Sequence, residues 1–360
     1  MGLFRLLLAV SVFMAHTINP KWIHGFGGEN AVEIFFVISG FYIALILDKT
    51  YDTKKSFYLN RFLRLYPMYY IVCALVILRA VLIPEFREVL LNFPSQVLVL
   101  VNLANSFISG TDWVMFLQWR EGGIHLGSYL NSELQIFTAM LIPQAWSLGI
   151  EVVFYLFAPL ICKLRTRSVL FLGIFLIVIK GIAWIKGLNQ DPWSYRFFIF
   201  ELPMFIFGIL LYRFRKSNFS GFRISLGVIY VLTGVFYFGI AFINSNLHLD
   251  RKIQFMALLM LVSVIILFGE QSSFDTKIGE LSYPFYISHI LVISTVIWLS
   301  NRIQGPEWFL TIKSSVWFPL VTGLLLTTLL SMLLIRVNQP IERLRSRNRT
   351  RPSNLKIQTL

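Results

Sequence analysis

Long apolar runs separated by short polar breaks dominate this sequence. Runs of roughly 17–25 residues, the length that carries a helix across about 30 Å of hydrocarbon, fall near 3–18, 31–47, 66–83, 146–162, 168–186, 197–213, 223–243, 253–269, 282–300 and 315–336. The pattern predicts an all-α polytopic membrane protein, a bundle of about ten transmembrane helices. The stretch 89–108 is also apolar, but Asn92, Pro94, Asn102 and Asn105 interrupt it, so it is expected to be re-entrant or interfacial rather than spanning. A long outer segment from about Pro84 to Gln144 gathers Trp113, Trp119, His125, acids and amides, and segments of that length usually carry function. No solenoid repeat is visible. The chain reads as one transmembrane domain over 1–336 followed by a basic cytoplasmic tail over 337–360.

Composition agrees with lipid as the main solvent. Charged residues make up 14% of the chain and hydrophobic ones 56%, with a mean hydropathy of +0.70, where a soluble domain carries about 25% charged residues. The net charge of +14 therefore reads as topogenic and lipid-facing, and no nucleic-acid partner is expected. Lys49, Lys54, Lys55, Arg61 and Arg64 fall in one short loop, Lys163, Arg165 and Arg167 in another, and Arg213, Arg215, Lys216 and Arg223 in a third, while Arg336 to Lys356 crowd the tail. Ten spans with both termini cytoplasmic put most of these on the inside; counting 89–108 as a full span would invert every later loop. Arg5 and the apolar run after it resemble a signal peptide, but no small-x-small site follows and His16 interrupts the run, so a retained first helix is expected. Cys73 and Cys162 lie in apolar runs and read as core thiols. With no zinc-type spacing, aspartate-rich cluster or phosphate-binding glycine loop, no metal and no ATP coupling are expected.

Ionisable groups at membrane depth are costly and therefore mark candidate sites. Arg5 and His16 lie eleven residues apart on the first helix, about 16 Å and three turns, hence on roughly one face at opposite depths. A snorkelling Arg with an interfacial His would show the same spacing. Glu33, Glu151 and Glu201 each enter their helices from the outer side, so three carboxylates and the His16 imidazole can share an outer layer. A carboxylate beside a histidine fixes its tautomer and raises its basicity, as a general base acting on a hydroxyl requires. The alternative for Glu33 or Glu201 is a structural partner of a cation or a backbone group. Arg61 and Arg64 stand one turn apart in a loop just before the third helix, an arrangement suited to phosphate and equally to positive-inside topogenesis. His289 falls near mid-membrane, as a site residue or a packing hydrogen bonder.

Five blocks, in order, resemble the acyltransferase-3 family of integral membrane O-acyltransferases. They are Arg5-x10-His16, the run Glu33-Ile34-Phe35-Phe36-Val37-Ile38-Ser39-Gly40-Phe41, Arg61-x2-Arg64 with Tyr66-Pro67, Trp146-Ser147-Leu148-x2-Glu151, and Ser282-Tyr283-x2-Tyr286-x2-His289. The resemblance implies a bacterial inner-membrane enzyme that moves an acyl group, commonly acetyl from cytoplasmic acetyl-CoA, to a hydroxyl of a surface glycan or lipid-linked oligosaccharide such as O-antigen. It matches Arg5 and His16 to the family's essential pair, Arg61 and Arg64 to its cytoplasmic arginine motif, and Glu151 to its carboxylate on the fourth helix. Position 33 is Glu where Asp is common, and Glu151-Val152 holds one acid where two are frequent. These residues include no hydrolase-like domain of the kind fused to longer members, so acceptor contacts are expected from outer-loop residues such as Trp113 and Trp119, with Glu33, Glu201 and His289.

The expected chemistry has Arg61 and Arg64 hold the acyl-CoA phosphates while His16, oriented by Glu151, deprotonates the acceptor hydroxyl; Arg5 lines the donor path, and an acyl-histidine variant stays open. The alternative from another class is a glycolipid transporter or flippase, in which the same residue types line a translocation path.

Overall fold

A computed structural model describes residues 1–17, 25–218, 223–247, 250–270, 272–307, 313, 315 and 317–347, with side chains described to Ser217 and Gly239 in two of those segments. Lys21, read from the sequence as part of an outer loop, and Arg349, Arg351 and Lys356 of the basic tail lie outside them, as does the rest of the tail beyond Arg347.

The described residues form a succession of helices: α1 (Gly2–Thr17), α2 (Gly28–Lys49), α3 (Lys54–Leu82), α4 (Pro84–Leu91), α5 (Ser95–Phe107), α6 (Trp146–Ile161), α7 (Thr166–Ile185), α8 (Phe198–Asn218), α9 (Leu226–Leu247), α10 (Arg251–Phe268), α11 (Ser273–Glu280), α12 (Ser282–Arg302) and α13 (Trp317–Arg347). Each apolar run read from the sequence is helical. Among the described residues seven segments are long and apolar enough to cross a membrane, with α11 and α12 counted together. Helix α1 has only 16 residues, and α8 carries Glu201, Arg213, Arg215 and Lys216. On α7, Leu170, Phe171, Ile174, Phe175, Ile177, Val178 and Ile182 are exposed. An apolar face of that size on a soluble chain would aggregate; against acyl chains it is matched.

Two boundaries differ from the sequence reading, and the break expected within 89–108 is present. Arg61 and Arg64 are not in a loop: α3 starts at Lys54, where Thr53 Oγ1 accepts the Ser56 amide at 3.2 Å. Lys, Leu and Arg are good helix formers, and Pro67 inside α3 removes one backbone donor without ending the helix. The stretch 89–108 is two helices, α4 and α5, bent by 101° at the break that holds Asn92 and Pro94. Helix α13 continues eleven residues past Arg336 to Arg347, burying Asn338 and Arg345, with Arg345 paired to Glu342 at 2.6 Å.

The chain divides into two compact units, Met1–Phe35 with Leu211–Arg347, and Phe36–Leu210. In the first, α1 packs on α11, α12 and α13. Phe4 and Phe13 are buried, Phe13 against Phe285 with centroids 5.8 Å apart. The start of α1 is capped from a distant element: Asp275 accepts the backbone amides of Gly2 at 2.6 Å and Leu3 at 3.0 Å, and the Tyr230 hydroxyl at 2.9 Å. This satisfies amides that a helix start leaves open.

In the second unit, α2 and α8 meet through glycine. A Cβ at Gly208 would stand 2.0 Å from the Val37 carbonyl oxygen, and one at Gly40 2.0 Å from that of Phe205, the close backbone approach that small residues permit between membrane helices. Tyr66 and Tyr70 of α3 donate to the carbonyls of Phe107 and Ser106, each at 2.6 Å. The outer segment is ordered around Val97, Val101, Val114, Ile136 and Met140, with Trp119 against them. Its antiparallel hairpin, β1 (Leu117–Arg120) and β2 (Gly123–Leu126), turns at Glu121 and Gly122, both at positive φ, as a two-residue turn of this hand requires.

Candidate active site

In the second unit, Glu151 lies about a turn and a half into α6. Ser39 Oγ donates to its Oε1 at 2.7 Å, and the Tyr155 hydroxyl, one turn further along α6, donates to the same oxygen. Arg61 lies over the Tyr155 ring at 5.8 Å from its centroid, and the charges of Arg61 and Arg64 both act on the Tyr155 hydroxyl. Tyr58 ties this part of α3 to α6 by donating to the Leu156 carbonyl at 3.0 Å. Arg61 Nη2 donates to Asn60 Oδ1 at 2.9 Å, whereas its Nε is buried with no hydrogen-bond partner among the described residues. A buried unmatched guanidinium donor calls for an acceptor. Carboxylate, two hydroxyls and two guanidiniums thus form one cluster.

In the first unit, His16 sits exposed near the end of α1. Its Nδ1 lies 2.8 Å from the Val12 carbonyl oxygen. A carbonyl only accepts, so Nδ1 carries the hydrogen and Nε2 the lone pair. The tautomer that suits a general base is therefore set by the helix's own backbone four residues back, and Glu151 bonds to Ser39 and Tyr155. Arg5, three turns earlier, has its guanidinium beside Gly279 near the end of α11. His289 is fully buried, its ring 5.1 Å from that of His16 between centroids.

The remaining candidates have partners of their own. Glu33 is buried and paired with Arg251 Nη2 at 3.3 Å, and the same Arg251 reaches Glu29 and Asn30. Glu201 is buried and paired with Lys180 at 2.9 Å. Trp113 is half exposed, edge-on to Phe197, while Trp119 packs into the outer core. Nearby, Asp191 takes a bidentate grip from Arg196 at 2.7 and 3.0 Å and the Tyr129 hydroxyl at 2.6 Å, with the guanidinium 4.3 Å from the Trp146 ring centroid. Burial lifts the Tyr129 hydroxyl to about 12, against a lowering by Arg196. Sequence reasoning missed this clamp because Tyr129 and Trp146 come from elements far in sequence from the loop that holds Asp191 and Arg196.

Asp112 faces Gly149 near the start of α6, is buried, and has Oδ1 with no partner among the described residues. Burial pushes its carboxyl up to about 6, against lowering by backbone amides. A carboxyl raised above its unfolded value of 3.8 favours the fold when protonated, so its contribution falls as pH rises from about 4 to about 6. Asp112→Asn is expected to stabilise the protein at neutral pH by on the order of 2 kcal/mol, with no gain below about pH 4. Thermal unfolding in detergent at both pH values checks this; an equal effect at both would contradict it.

The acyltransferase-domain family of type 3 matches residues 1–336. The chain belongs to the acyltransferase-3 family. Among curated relatives, the peptidoglycan O-acetyltransferase OatA of Listeria monocytogenes is 29% identical over 200 residues, covering 51% of this chain and 29% of its own length. A putative O-acetyltransferase of Staphylococcus aureus strain COL is 24% identical over 345 residues, covering 86% of this chain and 54% of its own. An uncharacterized protein of Aquifex aeolicus is 27% identical over 190 residues, 50% of this chain and 85% of its own. The chain thus spans about half or less of the O-acetyltransferases it matches. No solved structure matches it. In this acyltransferase-3 chain, Arg5, His16 and His289 lie in one unit and Arg61, Arg64 and Glu151 in the other. Ser39 and Tyr155, which the sequence reading did not single out, join Glu151; Ser39 was within reach, since it lies in the Glu33–Phe41 run.

Proposed function

We propose that the chain is a membrane O-acyltransferase that moves an acyl group, acetyl in the simplest case, from cytoplasmic acyl-CoA to a hydroxyl of a surface glycan or its lipid-linked precursor. The observation that carries this reading is the His16 imidazole, exposed and held by Val12 in the tautomer whose Nε2 takes a proton. The relatives named O-acetyltransferases support the reaction class. Ten spans with both termini cytoplasmic, in the bacterial inner membrane, fit the basic-residue pattern and put the Arg61 end of α3 on the donor side.

In this reaction Arg61 and Arg64 bind the CoA phosphates by charge-assisted hydrogen bonds, the unmatched Arg61 Nε among the donors. Glu151, Ser39 and Tyr155 order the Arg61 side of the donor site. His16 Nε2 takes the proton of the acceptor hydroxyl as its oxygen attacks the thioester carbonyl; the C–S bond breaks and the CoA thiolate leaves with a proton. Alignment in a water-poor site supplies much of the rate. Trp113, Glu33 and Glu201 serve acceptor binding, directly or through the elements they hold.

Arg61→Ala with Arg64→Ala should raise KM for acetyl-CoA roughly ten- to hundredfold, with a smaller change in kcat. Steady-state kinetics in proteoliposomes checks it, and an unchanged KM would remove the arginines from donor binding. A transporter would move glycolipid without consuming acetyl-CoA; wild-type protein that does so would replace this reading.

A further inference from the structure

His289 is buried inside the first unit, yet half of its polar chemistry is unused. Its Nδ1 lies 2.6 Å from the Tyr286 carbonyl oxygen. By the argument applied to His16, Nδ1 carries the hydrogen and Nε2 the lone pair. That Nε2 is buried with no hydrogen-bond partner among the described residues, a vacancy that costs stability unless something fills it. The group beside it is the other imidazole: the rings of His16 and His289 are 5.1 Å apart between centroids and tilted by 51°. Phe13 and Tyr286 pack around the His289 ring.

Two imidazoles that both present lone pairs share no hydrogen bond while neutral. One proton on His16 Nε2 changes this, because the Nε2–H of the imidazolium then has an acceptor in His289 Nε2. We propose that His289 is a positioning partner of His16, holding the imidazolium that forms when His16 takes a hydroxyl proton. The proposal rests on the acyl-transfer reading above. The step balances: the hydroxyl proton moves to His16 Nε2, is shared with His289 Nε2 while the new C–O bond forms and the thioester C–S bond breaks, and leaves with the thiolate. Both histidines end neutral. Val12 and Tyr286 fix both tautomers through backbone carbonyls, so neither ring must reorient.

Among the described residues few other charges compete. Helix α13 has no ionisable side chain before Arg336. Tyr286 on α12 and Tyr237 on α9 are neutral phenols, Tyr237 donating to the Met14 sulfur. On α2, Glu29 and Glu33 are engaged with Arg251 of α10, and Asp275, Lys277 and Glu280 of α11 lie on the element that packs at the Gly2 and Arg5 end of α1. The His16 limb of a pH profile therefore reports on His289.

The test measures kcat and KM for acetyl-CoA from about pH 5 to pH 9 in proteoliposomes for wild type, His289→Leu and His289→Gln. An acceptor beside the imidazolium favours its charged form, so losing it lowers the pH at which His16 protonates. His289→Leu is expected to lower kcat roughly ten- to hundredfold, leave KM within about twofold, and move the acid limb of the kcat profile down by about one pH unit. His289→Gln, which puts an acceptor oxygen where Nε2 was, is expected to keep the limb near wild type and recover much of kcat. The limb is read from the shape of the profile, so loss of folded protein does not mimic it. A limb that stays put in His289→Leu, or shifts equally in both variants, overturns the proposal. Wild-type protein without transferase activity instead overturns the acyl-transfer reading beneath it.

Discussion

His16→Ala is expected to lower acyl transfer by roughly 10²- to 10⁴-fold, the range a positioned general base supplies, with little change in KM for the donor. His16 is exposed near the end of α1, where Val12 holds its Nδ1 and the His289 ring lies beside it, so it contributes little buried surface. The variant should therefore unfold at the wild-type temperature, which separates lost chemistry from lost fold. His16→Gln is expected to be as inactive as alanine, since an amide does not accept a proton at neutral pH. Single-turnover rates for the three proteins check this, and near wild-type transfer by either variant would rule out both the general-base and the acyl-histidine mechanisms.

Gly208→Ala is expected to be strongly destabilising. Its Cβ would stand 2.0 Å from the Val37 carbonyl oxygen and 2.6 Å from the Phe41 amide nitrogen. Backbone does not yield as a flexible side-chain end does, so α2 and α8 must separate, at a cost of about 3 kcal/mol or more. Gly181→Ala supplies the opposite sign within the same unit. Nothing lies within 4 Å of its Cβ, and in the interior of α7 alanine is favoured over glycine by up to about 1 kcal/mol. Unfolding midpoints in detergent should fall for the first and hold or rise for the second; equal midpoints would contradict the close crossing.

The helices were legible because lipid imposes a demand on composition that each segment meets alone, and every apolar run of spanning length is helical. The boundaries were less so. Pro67 invited a helix start that Thr53 provides four turns earlier, and Arg336 invited a helix end that buried Asn338 and Arg345 postpone. The candidate residues were also visible, as charges in apolar runs, but their partners were not. Lys180 with Glu201, Arg251 with Glu33, and Tyr129 with Asp191 join elements whose proximity depends on packing that no local pattern encodes. The Val12 bond to His16 is the exception, since a carbonyl four residues back along a helix is always within reach. The reading of a carboxylate as the tautomer-setting group overlooked it.

The central claim, transfer from a cytoplasmic acyl-CoA to an outer hydroxyl, is tested most directly in inverted inner-membrane vesicles given radiolabelled acetyl-CoA on their outer, originally cytoplasmic, face. Stoichiometric release of free CoA and ester-linked label, removed by mild base, on glycan in the lumen is expected in vesicles carrying the wild-type protein, with neither in vesicles carrying His16→Ala. Intact donor with well-folded wild-type protein, or label that appears equally with His16→Ala, would contradict it.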